Sequence, residues 1–400
     1  MATLQRLFVR GTPRATKQAA RYTPAGGAER CGMCRHYAAP SSCARIEGPV
    51  SAAGWCMLFS RQVTYPHHAG VQSSSSAGQP PSLDLGFLSP GVLDPQITFT
   101  RASTGTYVDI AGVMQTAAIN APRWDYDPVT HQLKGVLIEE QRTNVLLNSA
   151  ALTTQSATVT ALPWTLSFYG TGTITRSGVS TGATTGTGAS ARTVVTFTPT
   201  AGSLTLTVTG SVTNAQLESG GYATSYIATA GSPVVRSRDI CTTPVGAWYD
   251  GTKGSLAVEY IFIGCNNNFN SPVQLVGSNV NTDYINTEGY VAPTAGVPNV
   301  QVMASAFVAN VASGTATIAA MPTPLGVVHK GAGAWTLNGG LQGAHDGIVS
   351  ALAAVGALPA VLNLTVGGPM HSQQQQNLWA RRVRYWPRAM GASELQSVTS

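Results

Sequence analysis

The chain has 400 residues, of which only 10% are charged and 43 are glycine. Ordinary globular chains carry about a quarter charged residues; so sparse a charge excludes long Lys/Glu-faced helices, and no run reaches the ~20 apolar residues of a membrane span. The net charge of +6 is local, because residues 1–70 carry nine Lys and Arg against two acids and the remainder is close to neutral.

Residues 1–16 read as a basic arm bearing Arg6, Arg10 and Arg14. No secretory signal is read there: Leu7-Phe8-Val9 is short and Arg10 interrupts it. Such an arm can contact phosphates. No reader motif or aromatic-interleaved platform accompanies it, so nucleic acid is not an expected partner.

Residues 17–65 hold Cys31, Cys34, Cys43 and Cys56 in the spacing C-x2-C-x8-C-x12-C. Four thiolates in so short a stretch suit a closed metal site, and both zinc and an iron–sulfur cluster take such ligands. Zinc sites of this type usually show two tight C-x-x-C knuckles, whereas only Cys31 and Cys34 form one here. Two disulfides or free thiols are the other reading, although a Cys31–Cys34 bridge would be cramped. Tyr22, Tyr37, Trp55 and Phe59 surround the ligands in sequence, and a dry aromatic shell tunes a cluster's potential. The segment is too poor in apolar residues to fold on a core, so metal binding would supply its folding free energy.

Residues 17–59 resemble the high-potential iron–sulfur proteins. The likeness rests on Ala20-Arg21-Tyr22, Cys31-x-x-Cys34, Cys43 and Gly54-Trp55-Cys56. It implies a [4Fe–4S] cluster held by the four cysteines, with Tyr22 packed against it; Trp55, from the aromatic residues around the ligands, is the other expected cofactor-binding residue, and zinc is the alternative metal.

Residues 66–96 read as a linker, with serines at 73–76, Gln79-Pro80-Pro81, Ser89-Pro90-Gly91 and Asp94-Pro95. A β-hairpin module is expected over 97–150. Its first hairpin joins Tyr107-Val108-Asp109 to Val113-Met114-Gln115, with Gly112 supplying positive φ in the turn. A second pairing joins Arg123-Trp124-Asp125-Tyr126 to Val136-Leu137-Ile138. The run from Arg101-Ala102-Ser103-Thr104 through Pro122–Pro128 to Leu137-Ile138-Glu139 and Arg142-Thr143-Asn144 resembles a module of tailed-phage particle proteins. That resemblance implies a structural or adhesive virion protein without enzyme activity.

Residues 151–240 alternate Thr, Val and Leu, as at 193–197 and 204–208, between Gly-rich turns. This is the period of half-buried strands. The segments 214–218 and 223–227 resemble the closing strands of jelly-roll carbohydrate-binding modules. Residues 241–400 read as a second sandwich, and 380–386 with the tail 392–396 resemble the ending of concanavalin-like lectin domains.

Several chemical motifs are suggested but expected to be inert. Gly178-Val179-Ser180-Thr181-Gly182 matches a nucleophile elbow, but the following Gly/Thr run is poor helix material. Asp125 and Asp127 read as turn formers before Pro128 rather than calcium ligands. Glu139 and Glu140 are adjacent on a strand and so point to opposite faces. Cys241 and Cys265 read as small buried hydrophobes. Trp335, Trp379 and Trp386 are available as sugar platforms, with core packing as the plainer role.

The expectation is an all-β chain: a small irregular iron–sulfur module, a β-hairpin module, then jelly-roll and concanavalin-like β-sandwiches. As a virion protein it would dock through residues 1–70 to other phage structural proteins of the tail or portal region. It would present its sandwiches to a host-surface glycan or receptor, as a homotrimer. An electron-transfer iron–sulfur protein with accessory β domains is the competing class, favoured by the cysteine pattern alone.

Overall fold

The structure is a computed structural model, and it describes residues 37–38, 42–43, 79–264, 271–280, 282–288, 299–300, 303–318, 321–368 and 376–400. The chain divides into two compact units, Met1–Ser76 and Ala77–Ser400. In the first unit the described backbone is an antiparallel pair, Tyr37–Ala38 with Ser42–Cys43, which sets Tyr37 opposite Cys43. The expected ligands Cys31, Cys34 and Cys56, the Cys43 side chain, and Tyr22 and Trp55 lie outside the described residues, as does Cys265.

The regular secondary structure of the second unit is, among the described residues, almost entirely strand, as its composition indicates. Its larger sandwich pairs a nine-stranded with a seven-stranded sheet among the described residues. The nine-stranded sheet runs through Ile348–Val349, Gly340–His345, Val328–Thr336, Lys253–Gly264, Asn377–Trp386, Leu133–Ile138 and Trp124–Tyr126, with Ala353–Ala354 and Leu83–Gly86 attached. The seven-stranded sheet runs through Val311–Thr317, Met303–Val308, Tyr284–Asn286, Val273–Val276, Asn363–Val366, Ile240–Pro244 and Thr98–Thr100.

Period-2 alternation explains which side chains meet between the sheets. From the strand Lys253–Gly264, Leu256, Val258, Tyr260 and Phe262 enter the core, facing Val273, Leu275, Ile285, Leu364 and Val366. Truncating one such Leu to Ala costs about 2–5 kcal/mol. The opposite face carries small residues, Ala257, Ala332, Ala334 and Ala344, which leave room for the one described helix, Ala392–Thr399, to lay Leu395 on the sheet beside Trp386. Glu394 starts that helix by accepting the Gly391 N–H and pairing with Arg388 at 2.7 Å.

The smaller sandwich is an insertion. Its four-stranded sheet (Gln155–Val159, Gly202–Thr209, Thr173–Gly178, Gly182–Thr185) faces a three-stranded one (Gly188–Phe197, Trp164–Gly170, Val212–Ser219). Leu166, Phe168, Ile174, Leu204, Leu206 and Leu217 fill the space between. The chain enters and leaves through a two-stranded neck, Arg142–Asn144 paired with Val234–Arg236.

Two stretches differ from their expected form. Residues 83–86, within the expected linker 66–96, form a strand on Asn377–Trp386, because Leu83 and Leu85 alternate into the core. Residues 223–227 are irregular rather than a closing strand: Gln216, Glu218 and Glu139 side chains accept their backbone N–H groups in place of a ladder. The first hairpin forms as read, Gly105–Val108 with Met114–Ala117, and Gly112 at φ 77° turns it.

Candidate functional site

The most distinctive sequence motifs converge at the neck of the insertion, where they build a buried ion network. Asp239 accepts Arg101 Nη1 at 3.0 Å and Arg123 Nη2 at 2.6 Å. Glu139 Oε2 takes Arg123 Nη1 at 2.8 Å and lies 3.1 Å from Arg236 Nη1. Burial works against the Glu139 carboxylate, but the guanidinium groups of Arg236 and Arg123 outweigh it and hold its pKa down at about 2. The next carboxylate, Glu140, is pushed up by burial, although Arg142 lies against it and the Tyr222 hydroxyl donates to it. Both residues follow the strand Leu133–Ile138 rather than lying on it, contrary to the expected strand placement, and their side chains take different partners: Arg123 and Arg236 for Glu139, Arg142 and Tyr222 for Glu140.

Asn144, which ends the motif, satisfies its whole amide at the entrance to the insertion. Its Nδ2 donates to Ala215 O and Ile227 O, and its Oδ1 accepts the N–H groups of Leu146 and Leu217. Gly220 comes within reach of the Arg142 guanidinium at φ 131°, where any side chain would collide with it. These residues hold the two sandwiches in one arrangement.

Directly beside this network is a cleft of about 300 Å³. Its floor is the outer face of the nine-stranded sheet at Leu137, Ile263 and Trp379; Tyr107 and Met114 of the hairpin form one wall, and Tyr169, Arg192 and Val194 of the insertion form the other. A volume of this size lies at the lower end of ligand pockets. Trp379 is held rigid: its Nε1 donates to Asp125 Oδ2 at 2.8 Å, and Lys134 Nζ sits 4.1 Å from the ring centre while pairing with Asp125 at 2.9 Å. Arg192 is fixed by Ser167 Oγ at 2.7 Å and by Thr224 O. Tyr169 is largely buried, and burial raises its phenol pKa.

The two carboxylates lining the cleft are both engaged. Asp125 Oδ1 accepts the Val108 N–H at 2.7 Å while Oδ2 serves Trp379 and Lys134. Glu139 Oε1 accepts the Ser225 N–H at 2.7 Å and Oε2 the Ser225 hydroxyl at 2.6 Å. A general acid needs a pKa near the working pH, and Glu139 is far from it. The arrangement suits binding by an aromatic, hydroxyl-bearing and cationic surface.

The other sequence motifs are placed as follows. Ser180 lies in the turn of a β-hairpin between Thr173–Gly178 and Gly182–Thr185, with no helix after it. Asp127 accepts the N–H groups of Val129 and Thr130, a turn role. Cys241 is buried in the core, which pushes its thiol up to about 12. Of the three tryptophans, Trp335 and Trp386 are core residues and Trp379 alone reaches the cleft. Tyr169 and Arg192 carried no sequence signal, because each sits in an ordinary alternating strand.

No protein-family model matches the chain, and no curated protein matches it. Solved structures overlap it in part. The Trypanosoma rangeli sialidase in complex with the inhibitor DANA is 11% identical, with 40% of this chain covered and a TM-score of 0.26; the match spans only 25% of that chain. The Ruminococcus gnavus IT-sialidase CBM40 bound to α2,3-sialyllactose is 14% identical over 37% of this chain and 83% of its own, with a TM-score of 0.25. Domain 4 of AbnA, an extracellular GH43 arabinanase from Geobacillus stearothermophilus in complex with arabinotriose, is 10% identical over 41% and 73%, with a TM-score of 0.28.

Proposed function

We propose that this chain is a non-enzymatic attachment protein that holds a glycan in the cleft between its two sandwiches. The observation that carries this reading is the cleft: Trp379, Tyr107 and Tyr169 offer aromatic faces and hydroxyls, and Arg192 and Lys134 offer donors, on a rigid β scaffold. Sugars bury their C–H faces on aromatic rings while their hydroxyls need fixed polar partners, and such surfaces suit both demands. Both lining carboxylates are saturated with hydrogen bonds, which favours binding over hydrolysis.

The phage-like motifs add the biological setting. The protein would belong to the particle of a tailed bacteriophage as a homotrimeric fibre or adhesin. Residues 1–70, with their net positive charge and four cysteines around a [4Fe–4S] cluster, would dock to neighbouring tail or portal proteins.

The test is a glycan array probed with the full chain and with Trp379→Ala. Binding of a defined glycan class by the wild type, weakened by on the order of 2 kcal/mol or about thirtyfold in the variant, supports the reading. Absence of any glycan ligand, or equal binding by the variant, overturns it.

A further inference from the structure

At one end of the larger sandwich, remote from the cleft in function and on the inner face of the sheet, two histidines meet two carboxylates. His329 stands on the strand Val328–Thr336 and His345 on Gly340–His345, with their rings stacked 5.2 Å apart. Asp346 follows in the turn to Ile348–Val349, and Glu288 reaches in from the other sheet. Gly331, paired with His345, lies where the Glu288 carboxylate passes, and a side chain there would collide with it.

The hydrogen bonds dictate where the imidazole lone pairs point. His329 Nε2 lies 2.9 Å from Pro324 O. A carbonyl only accepts, so Nε2 carries the proton and the neutral ring turns its Nδ1 lone pair toward Asp346 Oδ2, 2.6 Å away. His345 Nδ1 lies 2.8 Å from Glu288 Oε1, and the Tyr260 hydroxyl donates to Glu288 Oε2 at 2.6 Å. With Nδ1–H given to Glu288, the His345 Nε2 lone pair also faces Asp346 Oδ2, at 3.4 Å. Two ring lone pairs and a carboxylate oxygen thus converge, and the three ligand atoms all lie within 4.8 Å of one another. Such a meeting needs positive charge in it, either a proton shared between His329 Nδ1 and Asp346 Oδ2 or one metal ion taking its place.

We infer that His329 Nδ1, His345 Nε2 and Asp346 Oδ2 bind a divalent transition-metal ion of the zinc type. The outer partners are those that metal-bound histidines use: one ring donates to a carboxylate and the other to a backbone carbonyl, which sets tautomer and orientation. Two imidazole donors and one carboxylate favour zinc over calcium or magnesium, which take oxygen ligands. Three protein ligands leave a fourth position open. Asp346 is 36% exposed, so that position faces the solvent edge rather than the core. The Lys330 N–H fixes the other Asp346 oxygen at 2.8 Å, which keeps the carboxylate aimed inward.

The test uses the full chain, stripped with a chelator and titrated with Zn2+ and with Co2+. The four N-terminal cysteines can also take these ions, so the readout is the difference between wild type and Asp346→Asn, whose exposed position spares the fold. The wild type is expected to take up one more equivalent than Asp346→Asn, and the Co2+ difference spectrum should lack thiolate charge-transfer bands. Glu288→Gln should weaken that equivalent by roughly 10–100-fold. Identical uptake by wild type and Asp346→Asn, or a difference spectrum dominated by thiolate bands, overturns the inference and leaves hydrogen bonding alone to hold the cluster.

Discussion

Arg123 Nη2 donates to Asp239 Oδ2 at 2.6 Å, and both side chains are completely shielded from water. The two residues lie on opposite sides of the inserted sandwich in sequence, so this contact closes the base of the insertion. Removing one partner of a buried pair strands the other charge, at a cost of about 3–5 kcal/mol. Asp239 also holds Arg101, so Asp239→Ala is expected at the upper end of that range. Denaturant unfolding of wild type and variant measures it; a change below about 1 kcal/mol would contradict the role assigned to the network.

Acid should loosen the same junction. The Glu139 pKa falls from an ordinary 4.5 to about 2 on folding. Its contribution is therefore fully present above the ordinary value and is lost as pH falls toward the folded one. A shift of this size corresponds to on the order of 3 kcal/mol. Unfolding free energy followed from pH 6 downward should drop between about 4.5 and 2, and Glu139→Gln should flatten that part of the curve.

Val194 lies on the rim of the cleft and is 48% exposed. Val194→Trp should fill the opening and reduce ligand affinity at least about tenfold, since it displaces part of the bound surface. Stability should stay within about 0.5 kcal/mol, as for surface substitutions generally. Unchanged affinity in a calorimetric titration would place the ligand elsewhere.

The proposed cluster would make the cysteine segment dependent on metal. Cys43→Ser is expected to make residues 17–65 protease-sensitive while the sandwiches remain resistant, because that segment has little apolar surface to bury. A visible absorption spectrum of fresh protein, with its sulfur-to-iron charge-transfer band, distinguishes the cluster from zinc. Equal resistance of variant and wild type would remove the metal from the folding of this segment.

On the proposed role in a phage particle, deleting residues 1–70 should abolish incorporation into particles while the remaining chain still binds host cells. The reason is charge: those residues hold the net positive charge available for steering and ion pairing. Incorporation of the truncated chain, scored by particle purification and immunoblot, would reverse the assigned polarity.

Local chemistry in the sequence marked many of the strands, although it read Leu83–Gly86 as linker and 223–227 as a strand. Alternation at 204–208 marks an inward face, which Leu204 and Leu206 occupy, and Gly112 marks a hairpin turn, because both depend only on neighbours along the chain. Partners were decided by the tertiary structure. Asn377–Trp386 pairs with Lys253–Gly264, Leu133–Ile138 and Leu83–Gly86, three segments spread over the length of the chain. A period of two says which way a side chain points, but not which strand lies beside it. The motif residues Arg101, Arg123 and Glu139 were legible as a pattern, yet their burial became visible only when Arg236 and Asp239 arrived from beyond the insertion. The His329–His345–Asp346 cluster left no mark in the sequence for the same reason. Each histidine occupies an inward position of its own strand, and only the sheet register and the facing Glu288 turn separate core positions into one polar site.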